Sequence, residues 1–263
     1  MKREKVYIAG TGPGDPDLLT VKARRLIETA DVILYDCLPA QHVLALAKPS
    51  AEVKFVNRHP DEGEKKEDML EYVRKYYREG KKVVRLKAGD ALMFNGGDVD
   101  ARRLRDWGIP FEIVPGITAS CAASNIFAIP TTELHKSDAL LNLIAFEIND
   151  GFAHLRDVAR LFRHGDTVAL YMAYDNLEAI FRVWKEEGVD GDTPVVIASM
   201  VSLKQEDVAR ATLNTALKVI AEREMLSPFI FFAGQHVDIY SERETAAQRM
   251  NKAFHTDSSK ILT

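Results

Sequence analysis

The sequence predicts an α/β protein of two domains: a parallel sheet with helical crossovers, then a second, mixed sheet, with the active cleft between them. Three observations support this fold class. Short apolar runs alternate with amphipathic stretches as far as residue 114, the runs end in Gly, Asp or Pro, and Pro115-Gly116 interrupts the pattern where a second series begins.

The elements follow in order. Residues 6–9 (Val-Tyr-Ile-Ala) form an unbroken apolar strand, as expected in a sheet buried on both faces. Residues 18–30 place Ala23, Leu26, Ile27 and Ala30 on one helical face. Strands at 32–35, 52–56, 82–86 and 111–114 then alternate with helices at 41–47, 67–77 and 99–107. Residues 117–127, rich in small side chains, read as a helix leading into the second series. That series has strands at 140–148, 167–171, 194–200 and 229–233, with helices at 152–162, 177–187 and 215–224. Residues 207–212 pair with 195–200 as an antiparallel hairpin, which makes the second sheet mixed. The expected domains are 1–115 and 116–240, followed by a polar tail, 241–263, expected to be partly disordered.

With 263 residues, 46% of them hydrophobic, the chain has ample material for a buried core. Its net charge of −4 argues against general nucleic-acid binding, which needs a basic face. Cys37 and Cys121 are far apart and lack metal-type spacing, which argues against a disulfide framework or a zinc site. No apolar leader or membrane-length segment is present, so a soluble, cytoplasmic protein with no membrane partner is expected.

The most informative stretch is residues 6–19, V-Y-I-A-G-T-G-P-G-D-P-D-L-L. It reads as a strand, a turn with glycines at 10, 12 and 14, and a helix, an order that lets backbone approach a small ligand closely. The dinucleotide fingerprint, G-x-G-x-x-G, would put its third glycine one residue later, and here Asp15 stands where pyrophosphate would be repelled. Asp36, about 20 residues beyond the turn, occupies the place of a ribose-binding acid.

Five segments in order, V-Y-I-A-G-T-G-P-G-D-P-D-L-L-T-V-K-A, A-D-V-I-L-Y-D, V-V-R-L-K-A-G-D, G-I-P-F-E-I-V-P-G-I-T-A and A-L-Y-M-A, closely resemble the tetrapyrrole methylases, from about residue 6 to about residue 237. Within that family the match is to the members that methylate uroporphyrinogen III at C2 and C7 to give precorrin-2, for sirohaem or cobalamin synthesis. The resemblance implies a homodimeric methyltransferase that uses S-adenosyl-L-methionine and releases S-adenosyl-L-homocysteine. Carried over position by position, the cofactor contacts are Pro13, Ala88, Gly89, Asp90, Met93, Thr118, Ala119 and Met172, with Val201 where the family usually has a glycine. On residue type alone, Asp90 could equally close a turn, Thr118 cap a helix and Met172 fill a core.

The family's acid/base pair falls on Asp36 and on a lysine position that here is Arg58. Arginine holds its proton but binds carboxylates bidentately, so Arg58 reads as a substrate ligand. A substrate with eight carboxylates calls for further cations, and His59, Lys87 and Lys136 are candidates. Three segments depart from the family pattern: Ala88-Gly89-Asp90-Ala91, Phe94-Asn95-Gly96-Gly97-Asp98 and Thr132-Glu133-Leu134. The last two remove positive charge and put Glu133 where it would face an anionic substrate. A different precorrin methyltransferase, for example one acting at C11 of precorrin-4, and a non-catalytic or dinucleotide-binding protein are the alternative readings.

Overall fold

The computed structural model describes residues 5–37, 39–56, 68–145, 153–162, 164–238 and 240. Arg58, His59 and the 241–263 tail lie outside these residues. The chain divides into two compact units, Met1–Ala122 and Ala123–Thr263. The boundary expected after residue 115 therefore falls inside the first unit.

The first unit is built on five parallel strands, β1 (Val6–Gly10), β2 (Val32–Tyr35), β3 (Glu52–Phe55), β4 (Val83–Lys87) and β5 (Phe111–Val114), in the order β3-β2-β4-β1-β5. The crossovers run through α1 (Val21–Thr29), α2 (Pro39–Val43), α3 (Met69–Arg78) and α4 (Gly97–Asp106). One sheet face packs Val6, Ile8, Val32, Leu34 and Val83 against Leu70, Val73 and Leu104 of α3 and α4. The other packs Ala9, Ile33, Val84 and Leu86 against Ala23, Leu26 and Ile27 of α1. Alternation along the strands puts residues 83, 85 and 87 of β4 on the α3/α4 face.

The helix expected over 41–47 is a short helix, α2, followed by a 3-10 turn over Leu44–Leu46, and the helices expected over 18–30 and 99–107 begin differently. The helix expected over 18–30 is split: Asp15 accepts from the Asp17 amide at 2.8 Å to close a 3-10 turn over Pro16–Leu18, and Thr20 then caps α1 by accepting from the Ala23 amide at 3.2 Å. Two successive caps win over one continuous amphipathic pattern. The α4 helix begins at Gly97, earlier than expected, because Gly96 takes the left-handed conformation (φ 64°) that turns the chain into it.

The helix expected over 117–127 is α5 (Ala119–Ile126). The second unit carries β6 (Leu140–Ile144), β7 (Thr167–Tyr171), β8 (Pro194–Ser199), β9 (Asp207–Thr212) and β10 (Phe229–Ala233), in the order β6-β7-β10-β8-β9. Only β6 and β7 pair in parallel; the other three ladders are antiparallel, including the expected β8–β9 hairpin. The helices α6 (Ala153–Phe162), α7 (Leu177–Glu186) and α8 (Ala216–Glu222) complete the unit. Trp184 centres its core, edge-on to Phe162 at 4.7 Å between ring centroids, and its indole N–H donates to the Leu155 carbonyl at 3.0 Å. A fully buried aromatic side chain with its polar atom satisfied contributes about 1.5–3 kcal/mol. Among the described residues no helix is long and apolar enough to cross a membrane.

Candidate active site

The carboxyl ends of β1, β4 and β5 converge, as ligand loops do in open parallel sheets. Gly12 and Gly89 exchange two backbone hydrogen bonds, Gly12 N to Gly89 O at 3.1 Å and Gly89 N to Gly12 O at 2.8 Å. A Cβ on Gly10 would lie 2.5 Å from the Gly89 carbonyl oxygen, and one on Gly116 only 2.1 Å from the same atom. Glycine is needed at both positions because three backbone segments touch there.

Asp90 ties these segments together. Its Oδ1 accepts from the Leu92 amide at 2.9 Å and its Oδ2 from the Gly116 amide at 3.1 Å, so the carboxylate closes its own turn and binds the β4 loop to the β5 loop. Around it, Ala88, Gly89, Met93, Thr118 and Ala119 are half-buried and Pro13 is buried. The loops at 10–19, 88–96 and 115–119 contain three acids, Asp15, Asp17 and Asp90, and several apolar side chains, but no lysine or arginine. Such surroundings suit a sulfonium cation and do not suit a pyrophosphate. Asn95 closes the β4 loop, its side-chain amide donating to the carbonyls of Ala88 (2.5 Å), Asp90 (2.9 Å) and Met93 (3.2 Å).

Beneath the loops runs a row of buried charges. Arg85 Nη2 lies 2.5 Å from Asp36 Oδ2, Arg85 Nε lies 3.5 Å from Asp100 Oδ2, and Lys87 Nζ lies 2.7 Å from that same Asp100 oxygen. Lys87 also donates to the Asn95 carbonyl at 2.9 Å. Burial, reinforced by the Arg85 guanidinium, pushes the Lys87 ammonium below its ordinary value, while Asp100 opposes that shift. Lys87 is therefore not the loop cation expected from sequence. It is buried inside the unit, and its charge is answered by Asp100.

In the second unit, Met172 and Met200 follow the parallel-running β7 and β8, and both adopt left-handed backbone (φ 51° and 49°), which an unbranched non-glycine residue adopts only under constraint. Met172 is exposed and Val201 is buried. Glu133, expected near an anionic substrate, is flanked by Lys136 Nζ at 2.6 Å and His236 Nδ1 at 2.8 Å. The Lys136 hydrogen bond holds its carboxyl below the usual range. The same pairing engages Lys136, a second cation that sequence alone had assigned to substrate.

The sequence profile of the Tetrapyrrole (Corrin/Porphyrin) Methylases matches residues 5–217. The chain belongs to this family. Among curated tetrapyrrole methylases, a uroporphyrinogen-III C-methyltransferase of Bacillus subtilis is 36% identical over 253 residues, covering 94% of this chain and 96% of its own. A uroporphyrin-III C-methyl transferase from Thermus thermophilus, solved in complex with S-adenyl homocysteine, superposes with a TM-score of 0.74 at 30% identity, covering 89% of this chain and 99% of that one. A cobalt precorrin-4 methyltransferase of cobalamin biosynthesis gives a TM-score of 0.79 at 30% identity, covering 89% and 96%.

Three roles in this tetrapyrrole methylase were not read from the sequence: those of Arg85 and Asp100 as a buried ion pair, and that of the Asn95 side chain as the closure of its loop. The signal for the first two was present. V-V-R-L-K places two cations two residues apart on an otherwise apolar strand, hence on one buried face, where counter-charges are obligatory. Asn95 was marked only as part of a segment that departs from the family pattern, with nothing to show what its side chain binds.

Proposed function

We propose that the chain transfers methyl groups from S-adenosylmethionine to C2 and C7 of uroporphyrinogen III, giving precorrin-2. What carries this reading is the similarity to the Bacillus subtilis enzyme over nearly the full length of both chains. The cation-free loops around Asp90 support the choice of donor. When bound, the donor supplies an activated methyl carried on a positively charged sulfur.

The protein's own part is mainly positional. Aligning an electron-rich ring carbon, the methyl and the sulfur can lower a barrier by ~7–11 kcal/mol in well-oriented systems. Pro13, Ala88, Gly89, Asp90, Met93, Thr118 and Ala119 in the first unit, with Met172 and Val201 in the second, are assigned to donor binding. Asp36 accepts the proton lost from the macrocycle, and Arg58 binds a substrate carboxylate. A cytoplasmic homodimer belongs to the same reading, in keeping with Cys37 and Cys121, which form no disulfide, and with the commonest symmetry of soluble oligomers.

The TM-score of 0.79 to the cobalt precorrin-4 methyltransferase favours a second reading, methylation of a later precorrin. Incubation with uroporphyrinogen III and labelled S-adenosylmethionine, followed by product mass analysis, separates the two. Two added methyls are expected. No incorporation from uroporphyrinogen III, with incorporation into a more highly methylated precorrin, would establish the second reading instead.

A further inference from the structure

We propose that Asn95 is a positioning residue for the methyl donor: its side-chain amide shapes the Ala88–Met93 loop into its binding form before the donor arrives. The proposal rests on the methyltransferase reading above, because the loop it shapes carries four of the residues assigned to donor binding.

The geometry is specific to an amide. One NH2 group reaches three backbone carbonyls, those of Ala88, Asp90 and Met93, so the loop wraps around the Asn95 side chain. Two N–H bonds serve three acceptors, which requires one of them to be shared. The residue is held at its other end as well, because its own carbonyl accepts from buried Lys87. The chain can fold back in this way because Gly96 is left-handed and Gly97 packs on the loop, where a Cβ would lie 2.2 Å from the Ala91 carbonyl oxygen. Gly97 N donates to that oxygen at 3.1 Å, sealing the loop. Asp90, whose carboxylate spans the β4 and β5 loops, has its carbonyl fixed by Asn95, so an acid assigned to donor binding is set by a residue that need not touch the donor.

Preorganisation of this kind appears in donor affinity, since a loop left to order on binding consumes part of the interaction energy. The test uses the full chain and S-adenosylhomocysteine as probe, by titration calorimetry, with Asn95→Ala and Asn95→Asp. Losing the amide bonds should weaken binding about tenfold in Asn95→Ala. Asn95→Asp, which sets an anion against three carbonyls, should weaken it further. Half-saturation by the tetrapyrrole should stay within about twofold, and turnover at saturating donor within about threefold, because these bonds persist through the reaction and act on binding. Donor affinity within twofold of the unaltered chain in both variants, or equal weakening toward both substrates, would overturn the proposal.

Should neither variant fold, hydrogen exchange of the unaltered chain decides: segment 88–95 should be protected before S-adenosylhomocysteine is added, and exchange at unstructured rates would count against a preformed loop. Failure of the unaltered chain to bind S-adenosylhomocysteine would instead refute the methyltransferase reading itself.

Discussion

Asp36, at the end of β2, rests on a guanidinium with no exposure to solvent: Arg85 Nη2 lies 2.5 Å from Asp36 Oδ2, while the carboxylate side chain retains 12% of its exposure. An arginine fork fixes the direction of a carboxylate as well as its charge. Arg85→Met would strip Asp36 of that support and leave Asp100 with one cation fewer. Removing one partner of a buried pair typically costs about 3–5 kcal/mol, which a denaturant titration would show as a lowered midpoint. Arg85→Lys keeps the charge without the fork, so it should retain more stability than Arg85→Met while still reducing turnover.

Asp36→Asn is isosteric and cannot accept a proton. Turnover should drop by about 10²–10⁴-fold, the usual contribution of a general base, with S-adenosylhomocysteine affinity nearly unchanged. Labelled methyl incorporation and calorimetry check the two halves separately, and unaltered turnover would remove Asp36 from the chemistry.

Two glycine substitutions separate close packing from backbone strain. Gly116→Ala would place a methyl 2.1 Å from the Gly89 oxygen, and the strand ends would have to part. A loss of at least about 1–3 kcal/mol, together with weaker donor binding, is expected. Gly96→Ala meets nothing within 4 Å and strains only its left-handed backbone, so it should cost about 1–2 kcal/mol through the backbone alone. Thermal midpoints with and without S-adenosylhomocysteine would show whether the donor still binds to each.

Asp31 immediately precedes β2: its Oδ1 receives Lys48 Nζ at 2.7 Å and its Oδ2 the Lys82 amide at 2.9 Å. The Lys48 bond, then the Lys82 amide, hold its carboxyl below the ordinary 3.8. Because the unfolded carboxyl binds a proton more readily, this stabilisation is present above about pH 4 and is lost as pH falls through the lower folded value. Both side chains are partly exposed, so the effect is modest and screened by salt. Urea midpoints of Asp31→Asn should be lower than those of the unaltered chain at pH 7 and approach them as pH falls below the ordinary carboxyl value.

The alternation of strands and helices was legible because β1 and β2 are unbroken apolar runs, β4 and β5 are mostly apolar, and α1 and α3 carry one-sided stripes; β3, Glu-Val-Lys-Phe, shows only a polar-apolar alternation. The glycines of the first turn were legible for the same local reason. Strand order was not: β4 inserts between β2 and β1, a choice made by crossovers that no local pattern records. Lys87 was misplaced because it closes its strand and resembles a loop cation; only Asp100, reached through the following helix, shows that it is buried. The pairing of Glu133 was illegible for a related reason, since its partner His236 lies about a hundred residues away in sequence. The roles of Asp90 in its turn and of Thr20 as a helix cap depend on short-range backbone geometry, which residue type suggests but does not decide.

The peptide N–H of Gly116, which Asp90 Oδ2 engages at 3.1 Å, comes after the last strand of the first sheet has ended at Val114. Dissecting the protein at the sheet's edge would therefore produce a fragment with all five strands and an unfinished β4 turn. A first half that keeps this bond has to be cut downstream of Gly116, and a cut after Ala122 also retains the opening turn of α5.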